Sequence, residues 1–349
     1  MAAKRKTKIN WPAVAAALVQ RIDHRDLHSA AMLRALAEYR RETRRGGRPS
    51  RWTLAFSGGA DSLALLLLFW AEGPGRWGRD FIVLHFNHRL RGRDSTADAR
   101  FCQAVCRALD IPCVIGEWRA ARKGASEAEA RAARHAFFAR EMKRRRSHLL
   151  WLAHQQDDIA ESMLMRLARG SGAGGLSSPR PVQTFPDGRT FLRPLLTLKK
   201  ADITAALSAA GANWREDTSN QRNAYLRNRI RNKVMPIWKE VAGRDVVAGA
   251  ARSRELLQED EAAFETWLAQ LAPLKRRTLD VQRLHGLPRA VVRRALHRWL
   301  LAVRPDTDLS RQGFELLLAA VERGSPTRFS LGRNAFAVIG GGKMALRKE

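Results

Sequence analysis

The sequence predicts an α/β protein: a mostly parallel sheet covered by helices on both faces, followed by a mainly helical domain. Three observations carry this expectation. Short apolar runs alternate with longer segments of helical period between residues 52 and 167. Gly and Pro cluster at the seams between segments. From about residue 241 to 323, strand signals become few, and Arg and Leu recur at helical spacing.

The elements follow in order. Residues 52–56 form an apolar run of strand length, and residues 63–70 read as a helix. Residues 81–86 are again strand-like. A helix over 96–109 carries Ala97, Phe101, Val105 and Leu109 at every fourth position. A third strand covers 111–115, a helix 127–142, and a fourth strand 149–153. The helix over 159–167 lines up Ile159, Met163 and Leu167. In sheets of this kind, ligands bind beyond the C-terminal ends of the strands. Three stretches are expected: a basic helical N-terminal extension (1–50), the α/β domain (51–240) and a mainly helical domain (241–349) with a short strand-like end. The Gly/Ser/Pro-rich loop at 170–181 is longer than most connections, as expected of a lid or a disordered segment.

Composition limits the function. The 349 residues carry 63 Lys plus Arg against 34 Asp plus Glu, a formal charge of +29. So basic a chain suits a polyanionic partner, because binding phosphates releases condensed counterions. Arg-rich surfaces also follow high-GC coding bias, so charge alone speaks to non-specific binding. No run of 18 apolar residues is present, so a membrane span is not expected. Lys4, Arg5, Lys6 and Lys8 before an apolar run superficially resemble a secretory signal. Arg21, Asp23, Arg25 and Asp26 follow at once, so the segment reads as a cytoplasmic helix. Cys102, Cys106 and Cys113 form no Cys-x-x-Cys pair, which gives neither a zinc ribbon nor a disulfide framework.

Four segments carry chemistry. Ser57-Gly58-Gly59-Ala60-Asp61-Ser62 follows a strand and opens a helix. Its glycines permit a tight turn, and the backbone N–H groups at the helix start can hold phosphate oxygens. A carboxylate among phosphates repels them unless a cation intervenes, so Asp61 points to Mg²⁺. The Gly-Lys-[Ser/Thr] ending of a Walker A loop is missing. His85 to Arg91 places His88, Arg89 and Arg91 beyond the second strand, where Arg can meet phosphate. Residues 153–162 put His154 and Asp158 four apart, with Glu161 one turn further. Asp157 and Asp158 also simply suit a helix N-terminus. Residues 221–239 hold six Lys/Arg and no Asp/Glu, including Arg227, Arg229 and Arg231. A solvated basic helix and a phosphate contact are both readings of that stretch.

The Ser-Gly-Gly-x-Asp-Ser segment resembles the PP-loop of the ATP pyrophosphatase superfamily, whose fold is adenine nucleotide alpha hydrolase-like. Taken in order, 85–91, 127–138, 153–161, 169–172, 193–195, 216–220 and 227–231 resemble the tRNA(Ile)-lysidine synthetase family. The likeness spans about residues 50–240. It implies a ligase that uses ATP, Mg²⁺ and free L-lysine on tRNA(Ile) with a CAU anticodon. Lysine joins C2 of the wobble cytidine through an adenylated tRNA intermediate, with release of AMP and pyrophosphate. By the same likeness, Ser57 to Ser62 would bind ATP, and Asp61 would organise the Mg²⁺. Asp61, His154, Asp158 and Arg227 would be catalytic. His88, Arg91, Arg193, Arg229 and Arg231 would contact tRNA or substrate, and the 241–349 domain would bind tRNA. A cytoplasmic location is expected, and homodimer assembly stays open. The family's second His is Gln155 here, and the N-terminal extension has no counterpart. The chain is also expected to be too short for the further C-terminal domain of longer members. Rival readings are a tRNA thiolase, a small-molecule synthetase of the same superfamily, and a non-catalytic RNA-binding module. The cysteine placement disfavours the first.

Overall fold

The computed structural model describes residues 9–27, 29–45, 52–72, 81–90, 92–122, 124–216, 225–304, 307, 309–332 and 334–348. The chain divides into two compact units, Met1–Leu257 and Gln258–Glu349.

The first unit is built on a six-stranded sheet in the order β3-β2-β1-β4-β6-β5. Its strands are β1 (Trp52–Ala55), β2 (Phe81–Asn87), β3 (Cys113–Glu117), β4 (Leu149–Trp151), β5 (Val182–Thr184) and β6 (Thr190–Leu192). All neighbours pair in parallel except β5, which runs antiparallel to β6. The order reverses between β1 and β4, which leaves a crevice at their C-terminal ends.

Helices α1 (Trp11–Val19), α2 (Ala30–Arg45) and α3 (Ala60–Ala71) belong to this unit. So do α4 (Arg93–Ala108), α5 (Glu127–Arg144), α6 (Gln156–Leu167) and α7 (Lys200–Ala209). The predicted alternation of strand and helix is reproduced, with shifts of a few residues at element ends. The third strand starts at Cys113, not 111, because Pro112 ends its N-terminal side.

The N-terminal stretch packs with this unit and does not stand apart. The reason lies in α3, where every residue from Leu63 to Phe69 is buried. A helix apolar all round needs cover on every face. The buried side of α1, from Trp11 through Val14, Ala15 and Leu18, joins the same core as α3 and β1. Further on, a short helix (Leu226–Arg229) runs through one π-type turn (Ile230–Val234) into α8 (Met235–Ala242). The helix α9 (Val246–Leu271) contains the division between units. The division falls later than composition suggested, because Val246, Val247 and Ala250 pack with Ala160, Met163 and Ile230.

The second unit carries α10 (Arg289–Val303) and α11 (Arg311–Arg323). It also has a five-stranded sheet in the order β7-β8-β11-β10-β9. These strands are β7 (Leu274–Lys275), β8 (Thr278–Asp280), β9 (Thr327–Ser330), β10 (Ala335–Gly340) and β11 (Lys343–Lys348), all antiparallel. Helices dominate, as predicted, but β7 and β8 enlarge the sheet beyond the anticipated strand-like end. They are two and three residues long, too short to show a period. Trp299, Leu317, Ala337 and Met344 are wholly buried in this core.

Candidate active site

The crevice at the β1/β4 reversal gathers most of the residues singled out in the sequence. The loop after β1 runs through Ser57, Gly58 and Gly59 into α3, which starts at Ala60. Gly58 sits at φ +93°, and a Cβ there would lie 3.2 Å from Cys102 Sγ. Both facts require glycine. Ser62 Oγ donates to Gly59 O (3.0 Å) and lies 3.0 Å from Ser57 Oγ, which fixes the curl. Gly59 gives α3 no side-chain cap, so the first backbone N–H groups of the helix are left for a ligand. The loop is also held from outside. Arg215 N donates to Gly58 O (2.9 Å), and Arg215 Nε donates to Asp98 Oδ1 (2.7 Å).

Asp61 lies in the first turn of α3. Its Oδ1 is buried without a hydrogen-bond partner. Burial, with the negative charge of Asp158 behind it, raises its pKa to about 6. Thus carboxylates that follow two adjacent strands share one field.

From the β4 side, Gln155 caps α6. Its Oε1 accepts from Asp157 N (2.5 Å), and Asp158 Oδ2 accepts from Gln155 N (3.0 Å), a reciprocal capping box. Gln155 therefore has a structural place where the resembling family carries a second His. Asp157 Oδ2 accepts from Lys200 N (3.0 Å), tying α6 to α7. Asp157 is thus a structural acid, and Asp158 faces the cations.

Asp158 Oδ1 accepts from Arg227 Nη2 (2.6 Å). Glu161 accepts from Arg227 Nε (2.9 Å) and from Arg231 Nε (2.6 Å) and Nη2 (2.9 Å). Burial works against the charge on Arg227, but Asp158 and Glu161 overcome it and raise its pKa. His154 Nδ1 accepts from Arg193 Nε (3.2 Å). Burial, then Arg193 and Arg227, drive the His154 pKa well below its ordinary value. The ring is neutral and carries its proton on Nε2, so it acts there as a donor and not as a base.

Arg193 is buried and also reaches Arg180 O and Gln183 Oε1, both at 2.8 Å. Arg166 Nη1 donates to Gly175 O (2.5 Å), and Ser177 Oγ donates to Gly174 O (3.1 Å). The loop 170–181, expected to be a lid or disordered, is therefore pinned and contains a helical turn, Ala173–Leu176.

Cationic charge exceeds acidic charge on this side. Burial and mutual repulsion lower the pKa of Arg134 to about 10 and that of His135 to about 4. Such a pocket attracts an anion. Arg131 and Arg134 come from α5, within the 127–138 segment of the family likeness. Their importance is visible only once α5 is placed. Asp98 had no sequence signal at all.

His88 packs edge-on to Phe86 (4.9 Å between ring centroids) and lies 6.3 Å from Trp118. Arg229 is exposed on the far side of its short helix from buried Asn228 and Ile230. Arg91 lies outside the described residues, as do residues 217–220. Among the described residues no cluster of three or more His, Cys, Asp or Glu could cage a metal. Cys102 is buried beside the loop, and burial pushes its thiol pKa up, away from a reactive thiolate.

Comparison with known proteins agrees with the fold. The PP-loop domain family matches residues 29–238. The tRNA(Ile)-lysidine synthase of Thermosynechococcus vestitus is 33% identical over 255 residues, covering 72% of this chain and 73% of that protein. The chain belongs to the tRNA(Ile)-lysidine synthase family. The Geobacter sulfurreducens member is 35% identical over 282 residues, covering 76% of this chain and 57% of its own. The Bacillus subtilis member is 39% identical over 215 residues, covering 60% and 45%. The chain thus spans about half the length of these two relatives.

Proposed function

We propose that the chain ligates L-lysine to the wobble cytidine of tRNA(Ile) with a CAU anticodon, consuming ATP. One observation carries this reading. Asp61 and Asp158, placed beyond adjacent parallel strands, share a field beside the uncapped start of α3. That combination provides an anion site next to an acidic site, as phosphoryl activation followed by amine attack requires.

The roles follow from the geometry. Ser57 to Ser62 hold the pyrophosphate portion of ATP on the backbone N–H groups of α3. Arg227 neutralises charge growing at the α-phosphate as cytosine O2 attacks it. The adenylated oxygen is a good leaving group where the amide-like oxygen was a poor one. Asp158 offers a carboxylate to the lysine ε-ammonium, and Glu161 holds Arg227 and Arg231 beside it. His154 donates from Nε2. Asp61 fits a Mg²⁺ ion, because its orphaned oxygen needs a positive partner. Without an all-protein cage, the remaining ligands would be waters and phosphate oxygens, as Mg²⁺ prefers. When bound, that ion would shield phosphate charge from Asp61 and Asp158. Arg193 and Arg231 support the substrate side, and the basic chain suits tRNA. No helix among the described residues is long and apolar enough to cross a membrane, and we place the reaction in the cytoplasm. The anticodon base reaches the pocket at low cost, since a loop base is already partly unstacked.

The test is release of AMP and pyrophosphate from ATP. It should require both the CAU tRNA and lysine for turnover, and Asp158→Ala should abolish it. AMP release unaffected by lysine would remove lysine as the nucleophile.

A further inference from the structure

We propose that the outer face of the five-stranded sheet in the second unit docks the phosphate backbone of the RNA substrate. This rests on the tRNA reading above and adds a contact surface outside the reaction crevice. Strand alternation sorts the sheet into two faces. Ala335, Ala337, Ile339, Met344 and Leu279 point into the core. The register then puts Arg328, Phe336, Val338, Lys343, Arg347 and Lys275 on the other face.

The charges on this face differ in kind from those on α10. On α10, Arg289 pairs with Glu315 and Glu322, and Arg293 with Glu315. Arg294 pairs with Glu261, and Arg298 with Glu265. These cations are already neutralised and have little left for a polyanion. On the sheet, Lys275, Lys343 and Arg347 are exposed and pair with no carboxylate among the described residues. The one acid on this face, Asp280 beside Lys343, is engaged by Arg283 at 3.3 Å. At the centre Phe336 stands opposite Arg347, with the Arg328 guanidinium 4.0 Å from its ring centroid.

Cations around an aromatic ring on an open sheet suit RNA, where phosphates meet Lys and Arg and a base can stack. A protein partner fits poorly, since Lys is depleted at the centres of protein interfaces. A membrane fits poorly too, because Phe336 and Val338, the large apolar side chains on this face among the described residues, are both half-buried.

The test uses the full chain and an unmodified tRNA(Ile) CAU transcript, with Kd measured across a salt series. The triple variant Lys275→Ala, Lys343→Ala, Arg347→Ala should weaken binding about tenfold to a hundredfold at about 0.1 M salt. It should also lower the slope of log K against log salt by roughly three. The single exposed change Lys343→Glu should move both in the same direction. The ion-paired control Arg293→Ala, Glu315→Ala should keep the wild-type slope. Melting curves matching wild type establish folding. If wild type binds and the triple variant has an unchanged Kd and slope, the docking surface is refuted and the tRNA reading stands. Wild type failing to bind the transcript would overturn both. Capture by phosphatidylglycerol vesicles that is lost in the triple variant, with RNA binding intact, would reassign the face to lipid and overturn the proposal.

Discussion

Replacing Glu161 by Gln removes one charge and almost no volume from the most buried part of the site. The wild-type carboxylate is 3% exposed and accepts three hydrogen bonds from two guanidinium groups that are 22% and 26% exposed. Removing one partner of a buried ion pair costs about 3–5 kcal/mol, because the other charge is left without compensation. Arg227 keeps Asp158 at 2.6 Å, and both arginines retain some water, so the lower end, about 3 kcal/mol, applies. For a unit of this size that lowers Tm by roughly 6–12 °C. Urea unfolding at neutral pH should show a lower midpoint with an unchanged slope. Activity should fall as well, because Arg227 loses the charged partner at its Nε. A loss below about 1 kcal/mol would refute the view that Glu161 anchors both arginines.

Other perturbations test separate parts of the site. The raised pKa of Asp61 means the folded state holds that proton more tightly than the unfolded chain. Apoprotein stability should therefore fall as pH rises from about 4 to about 6 and level off above. Asp61→Asn should remove that slope and be more stable than wild type at pH 7.5, while losing AMP formation. Mg²⁺ should raise the wild-type Tm at pH 7.5 and leave that of Asp61→Asn unchanged. Gly58→Ala should cost about 1–2 kcal/mol in urea unfolding and weaken ATP binding, since φ +93° disfavours any Cβ and Cys102 must give way. Gln155→Ala should cost about 1 kcal/mol through loss of the α6 cap, read as reduced hydrogen-exchange protection in its first turn.

The alternating sheet and the loop after β1 were legible in the sequence because each rests on local pattern. Strand length, helical period and a Gly-Gly turn all speak within a dozen residues. Asp158, Arg227 and Arg231 were found by the order of short motifs, but their pairing lies across more than sixty residues and has no local signature. Asp157 and Asp158 look alike in sequence. Only the fold distinguishes the one that ties α6 to α7 from the one that faces Arg227. Gln155 became intelligible as a cap once its backbone was seen to start a helix. The packing of α1 was missed because the partner that demands it, the apolar Leu63–Phe69 stretch of α3, lies some fifty residues on. Strand β8 is held by pairing with β11, far along the chain, and β7 by pairing with β8, and their own residues do not announce them.

The most direct measurement is nucleoside mass spectrometry of tRNA(Ile) CAU after incubation with the protein, ATP, Mg²⁺ and isotope-labelled L-lysine. The account predicts that the wobble cytidine gains labelled lysine, only with ATP present, and that Asp158→Ala leaves it unmodified. A wobble cytidine left unmodified by wild-type protein, or one gaining sulfur or another group instead, would contradict it.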